Sequence, residues 1–259
     1  MKSKILFLAV VLISGITIPM HAQDYKIPVE NTKAGMLSMT GFSGDITLEG
    51  YAGSEIIFTS TNLNKDVPDR AKGLKPVYPG GTDNTGIGLL VEKNGSEVTV
   101  TCLLPFTESG GYKVKVPESL AIKMQNGCEN ASDISVKNMK NEIEIQTCGP
   151  IKLGDVSGPL VLSTISGDIN IGLAGMNTDK PSSINSISGE IDITMPSKAA
   201  VDIEMGTVTG TMYSDLDFNA NSKDIKRVGG NQLTSKINGG GTRFSIVTVS
   251  GNIYLRKGN

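Results

Sequence analysis

A hexapeptide of the form Ser-Gly-x-Ile/Leu-x-Ile/Leu occurs five times, at Ser43-Gly-Asp-Ile-Thr-Leu48, Ser157-Gly-Pro-Leu-Val-Leu162, Ser166-Gly-Asp-Ile-Asn-Ile171, Ser188-Gly-Glu-Ile-Asp-Ile193 and Ser250-Gly-Asn-Ile-Tyr-Leu255. Gly takes bend conformations that other residues resist, and an apolar residue at every second position lines one face of a strand. Each copy therefore predicts a corner followed by a short strand. An apolar residue precedes each Ser (Phe42, Val156, Ile165, Ile187 and Val249), and the spacing predicts that these positions are buried with the following Ile and Leu. Between residues 131 and 171 related units follow one another every eight or nine residues. Two units make a coil of about 18 residues and three a coil of about 27, and both fit a solenoid. A single coil cannot bury its Ile, Leu and Val side chains or pair its edges, whereas coils stacked about 4.8 Å apart do both.

The fold class read from this pattern is all-β, a parallel β-solenoid or β-helix-like repeat over residues 119–259 with an irregular β-rich section over 23–118. Residues 33–117 alternate as strands around a Pro- and Gly-rich insert, 66–88, and form either a first solenoid section or a separate sandwich-like subdomain. The phase loosens over 172–187 and breaks over 217–232, where Asn, Ser, Gly and Lys predict projecting loops. The stretch from Lys236 to Val249 leads into the last copy and is expected to close the core.

Residues 1–22 carry Lys2 and Lys4, an apolar run from Ile5 to Ile18, and Met-His-Ala before Gln23, the layout of a secretory signal peptide cleaved after Ala22. The run is short for a membrane span, which needs roughly 20 residues. The mature chain is expected to be exported, to the periplasm or the cell exterior, with no membrane span. Its formal charge of −4, from 22 basic and 26 acidic residues, and its lack of Lys/Arg runs argue against nucleic acid as a partner.

His21 is the only His and lies in the segment expected to be removed. The mature chain then has no Ser-His or Cys-His nucleophile pair and no His-ligated metal. Of three Cys, Cys128 and Cys148 lie 20 residues apart, about one coil, and could pair across neighbouring rungs; free buried thiols are the alternative. Cys102 reads as a core residue. No cofactor is expected.

Two groups of residues are candidates for contact. The loop Tyr78-Pro-Gly-Gly-Thr-Asp-Asn-Thr-Gly-Ile-Gly88 lacks the Lys-Ser/Thr ending of a nucleotide loop, and it reads as a surface turn cluster or, through Tyr78, Thr82, Asp83, Asn84 and Thr85, as a partner-contact loop. Asp45, Asp168 and Glu190 share one repeat position and would form an acidic ladder if their coils stacked consecutively; solvated turn residues are the simpler reading. Parallel β-helices also act on polysaccharides, but the absence of Trp and the presence of only four Arg in the mature chain rank a carbohydrate-active enzyme last.

Three segments carry a family resemblance. Gly35 to Asn62, with Gly-Phe-Ser-Gly-Asp-Ile-Thr-Leu-Glu-Gly-Tyr leading into Glu-Ile-Ile-Phe, resembles the opening of the putative-adhesin domain of bacterial envelope proteins. The middle, Gly-Pro-Leu-Val-Leu-Ser-Thr-Ile-Ser-Gly-Asp-Ile-Asn-Ile, is similar to its repeats, and Ile237-Asn-Gly-Gly-Gly through Val-Ser-Gly-Asn-Ile-Tyr-Leu255 to its closing motif. The resemblance implies a solenoid-like fold and an exported, non-enzymatic role, and it carries over no catalytic residues. The expected function is a cell-envelope binding or adhesion module contacting a protein or glycan of the envelope or of a host surface. The alternative is a periplasmic structural or envelope-stress component.

Overall fold

The protein is described from a computed structural model, covering residues 24–61, 69–74, 76–105, 110–176, 180–218, 225–226 and 231–258. The expected signal peptide and parts of the insert lie outside these residues. Two sheets face each other across a single core. The first runs, in hydrogen-bonded order, Asp24–Pro28, Glu55–Ser60, Tyr112–Pro117, Ile46–Tyr51, Ile134–Lys137, Ile151–Val156, Ile169–Leu173, Ile191–Pro196, Ile253–Gly258 and Met212–Ser214. The second runs Ile225–Lys226, Asn231–Ile237, Val201–Thr209, Thr242–Ser250, Ser182–Ser188, Leu160–Ser166, Ile143–Thr147, Ala121–Gln125, Met36–Thr40, Glu97–Cys102 and Leu89–Asn94.

Each coil contributes one strand to each sheet, so the unit is the two-strand coil. Ile134, Ile151, Ile169, Ile191 and Ile253 stack in register in the first sheet, and Met124, Ile145, Leu162, Ile184 and Ile246 in the second. All ten are buried. β-branched and Leu side chains suit this packing because strands buried on one face and paired on both edges leave them a flat, dry neighbour on each side.

The coils do not stack in chain order. Met36–Thr40 and Ile46–Tyr51 are flanked by the strands of residues 97–117 on one side and by those of 121–137 on the other. At the opposite end the last coil, Thr242–Ser250 with Ile253–Gly258, fits between Ser182–Pro196 and Val201–Ser214. The closing segment thus fills an interior rung, where it buries Phe244, Ile246, Ile253 and Leu255. The strands of residues 24–117 continue the same two sheets as those of 121–258.

Antiparallel strands cover most of the sheet ends. Leu89–Asn94 covers the second sheet at the N-terminal end, and Glu55–Ser60 with Asp24–Pro28 covers the first. Asn231–Ile237 covers the second sheet at the C-terminal end. Such cover removes the open ladders that invite edge-to-edge pairing. Among the described residues the first sheet ends on the short strand Met212–Ser214.

The corners correct one expectation. Phe42 and Val156 are buried, but Ile165, Ile187 and Val249 are 47%, 53% and 45% exposed. The strand Leu160–Ser166 keeps its alternation to the end, so Leu160, Leu162 and Thr164 face in, and Ile165 and Ser166 both lie outside before the bend resets the phase at Ile169. The inward corner position belongs to a hydroxyl. Thr164, Thr207 and Thr248 are buried and donate to the carbonyls of Gly149 (2.8 Å), Gly251 (3.0 Å) and Gly189 (3.3 Å) in neighbouring coils. A buried hydroxyl with a partner avoids the desolvation cost of an unsatisfied one. At Gly251 the backbone φ is +147° and an added Cβ would meet the Gly189 carbonyl at 2.1 Å, so coil contact itself demands Gly.

Candidate functional site

The Asp83 loop turns most of its polar groups toward its own backbone. The Asp83 carboxylate accepts from the N–H groups of Thr85 (2.8 Å), Gly86 (2.9 Å) and Gly88 (2.9 Å) and from the Thr85 hydroxyl (2.8 Å). Burial disfavours its charge, but these donors outweigh burial and hold its pKa below the ordinary value. Asn84 exchanges two side-chain hydrogen bonds with the Val91 backbone, at 2.8 and 2.9 Å. Ile87 is fully buried and its carbonyl accepts from the Tyr112 hydroxyl at 2.7 Å. Thr82 is exposed and Tyr78 half-buried. The loop therefore seats Asp83, Thr85, Ile87 and Gly88 against the core at the N-terminal end, while residues 79, 80, 82, 84 and 86 are exposed to solvent.

The acids sort by coil. Asp168 and Glu190 lie in consecutive coils, and the Glu190 N–H donates to Asp168 at 2.8 Å. Asp45 sits apart, since the coils of Asp133 and Pro150 intervene. Among the described residues no group of three or more His, Cys, Asp or Glu is placed to hold a metal. Cys128 and Cys148 are joined across neighbouring coils with Cα atoms 5.0 Å apart. Cys102 is a buried free thiol whose pKa is raised by burial.

The arrangement best suited to recognition lies at the C-terminal end of the first sheet. Tyr213 and Tyr254 pair in register on neighbouring strands, and their outward rings stack 5.3 Å apart at 10°. Tyr213 is 51% exposed, and its strand is the last of the sheet among the described residues, so one face of its ring has no strand beyond it. Behind the pair the Arg256 guanidinium lies 5.4 Å from the Tyr254 ring centre and grips Asp192 through two hydrogen bonds of 2.8 Å. Asn252 donates to Glu190 at 2.9 Å, and the Tyr254 hydroxyl lies 3.3 Å from the same carboxylate. The Asn252 side-chain oxygen Oδ1 accepts from the Thr211 N–H at 3.0 Å, tying the rim to the neighbouring strand Met212–Ser214. Beside Tyr213 a depression of about 270 Å³ is lined by Met205, Met212, Tyr213, Ser214, Phe218 and Leu233.

This is a rigid aromatic shelf with a polar rim. The π-face of a tyrosine is negative and takes weakly positive C–H edges, while the rim offers carboxylate, amide and guanidinium partners for hydroxyls. Sequence reasoning missed the shelf because its tyrosines are 41 residues apart and meet only through the inserted final coil. A signal was present: Thr211-Met-Tyr213 and Asn252-Ile-Tyr254 put Tyr at the outward repeat position where other copies carry Thr, Val, Asn or Asp.

A family model described as Toastrack DUF4097 matches residues 12–256. Among solved structures, a putative cell adhesion protein from Clostridium sporogenes is 12% identical with a TM-score of 0.48, over 91% of this chain and 99% of that one. A putative adhesin from Bacteroides fragilis is 11% identical with a TM-score of 0.37, over 90% of this chain and 95% of the other. No curated protein matches.

Proposed function

The chain belongs to the Toastrack DUF4097 family, and on that premise we propose that it is an exported, non-enzymatic binding module of the cell envelope that contacts a glycan through the Tyr213–Tyr254 shelf. The observation that carries this reading is the pair of stacked outward tyrosines at a sheet end, one ring half-exposed and the rim already polarised by Glu190, Asn252 and Arg256. A sugar ring has one face of C–H groups and an equator of hydroxyls, which matches an aromatic shelf with hydrogen-bonding neighbours. Both rim carboxylates are engaged in hydrogen bonds, Asp192 with Arg256 and Glu190 with Asn252, so they serve to hold and orient rather than to move protons.

Adhesion in this reading needs no conformational change. The shelf stands on strands paired in register, and preorganised contacts lose little entropy on binding. The test is a glycan array probed with the mature chain and with Tyr213→Ala, whose half-exposed site leaves the core intact. The reading expects at least one glycan class bound by the parent and weakened about tenfold or more in the variant, the scale of one aromatic contact. Equal binding by the variant, or no glycan bound by the parent, overturns it.

A further inference from the structure

The outward face of the second sheet carries an uncharged panel at its centre. Three consecutive strands, Leu160–Ser166, Ser182–Ser188 and Thr242–Ser250, present Val161, Ser163 and Ile165, then Ser183, Asn185 and Ile187, then Ser245, Val247 and Val249. Ile165, Ile187 and Val249 form a continuous ladder, extended by Val208 on the next strand. Val208 is 52% exposed, Val247 37% and Val161 39%, so six aliphatic side chains share this face. Ion pairs bracket the panel: Lys123–Glu144 at 2.9 Å on one side and Arg243–Glu204 on the other. The first sheet differs, since its outward positions include the exposed Lys113, Lys115, Lys137 and Lys152.

We propose that this face pairs with the same face of a second copy of the chain. Protein interfaces have an apolar centre depleted of charge and a polar rim, and the second sheet is laid out in that way. Self-pairing further requires that like meet like without repulsion, which a face of neutral side chains and internally neutralised ion pairs satisfies and a lysine-bearing face does not. A twofold axis lying in the interface along the strand Ser182–Ser188 sets ladder on ladder. It sets Glu144 of each copy facing Glu204 of the other at the rim, where Lys123 and Arg243 within the same copies neutralise the two carboxylates. The five strands symmetric about this axis, from Val201–Thr209 to Ile143–Thr147, spaced about 4.8 Å apart and averaging roughly 24 Å, give a face of about 600 Å² per copy, at the small end of specific interfaces. Face-to-face sheets pack about 10 Å apart, which suits Ile and Val against Ser. The pairing leaves the first sheet of each copy facing outward.

Sedimentation of the mature chain over about 1 µM to 1 mM tests the pairing, a range that brackets weak and moderate dimers. The mass is expected to rise to twice that of one chain. Ile187 lies nearest the axis, so Ile187→Lys sets two like charges against each other and is expected to weaken association at least about 100-fold. Its 53% exposure means that the melting temperature should stay near that of the parent, which shows the variant folded. Ile187→Cys provides the second readout, an intermolecular disulfide formed on mild oxidation of the dimer. A parent that stays monomeric throughout overturns the proposal and leaves the panel to a different partner; a dimer unaffected by Ile187→Lys, or an Ile187→Cys variant that does not crosslink, places the contact elsewhere and overturns it equally. Glycan binding is read separately, through Tyr213 on the opposite sheet, so the two readings fail independently.

Discussion

Asp83 shows how one side chain converts a Gly-rich stretch into structure. Its carboxylate collects four donors within 3 Å, and the folded state therefore favours the charged form. A carboxyl with its folded pKa below the unfolded value of 3.8 adds stability that is complete above that value and is lost as pH falls through the folded pKa. Asp83→Asn should cost about 2 kcal/mol at neutral pH, because charge-assisted acceptance is lost and Asn cannot accept all four bonds. Urea midpoints of parent and variant should converge as pH falls below 3.8; a gap that persists unchanged in acid would show that the loop does not depend on the charge. At this scale the sequence was legible where chemistry is local. The Ser-Gly corners and the Ile and Leu of each hexapeptide needed only alternation and the freedom of Gly. The outward turn of Ile165, Ile187 and Val249 was not, because it depends on whether the bend absorbs a residue, and hydrophobicity alone argues the wrong way. The Thr164-Ile-Ser-Gly and Thr248-Val-Ser-Gly segments explain two of the three, since the hydroxyl two residues before the Ser reaches a neighbouring glycine carbonyl; Ser186 in the Ile187 corner is buried at the same position without that bond.

The coil is the next scale, and its neighbours decide its stability. Backbone pairing and apolar stacking tie each coil to two others, so a covalent staple between rungs acts on the array. The Cys128–Cys148 bond joins the corner after Ala121–Gln125 to the corner after Ile143–Thr147. It closes a loop of 20 residues, for which chain entropy gives about 3 kcal/mol. Cys128→Ser and Cys148→Ser, singly or together, should each lower stability by about that amount in denaturant melts, and reductant should do the same to the parent. No effect of reductant would show that the two thiols are free in solution. The 20-residue spacing matched one coil in the sequence, yet spacing alone could not tell a bridge from two stacked buried thiols. The order of coils was likewise hidden, because the corners look alike and nothing local states that residues 97–117 lie outside 36–51 or that 242–258 lie inside 201–214.

At the scale of the whole molecule, this crossing of order at both ends has a functional consequence. The final coil is clamped between earlier ones, and in entering it brings Tyr254 beside Tyr213 and Val249 beside Ile187 and Val208. One late segment completes both the tyrosine shelf on the first sheet and the apolar panel on the second. A chain paired through its second sheets would present two shelves on opposite outer faces, a geometry that suits bridging two ligand-bearing surfaces rather than gripping one. Such use requires the protein to meet its ligand outside the cell, so the most direct test is protease shaving of intact cells, with blotting for this chain beside a soluble periplasmic control. The account predicts that this chain is lost while the control survives. Equal protection of both would contradict it and assign the fold to a periplasmic structural role.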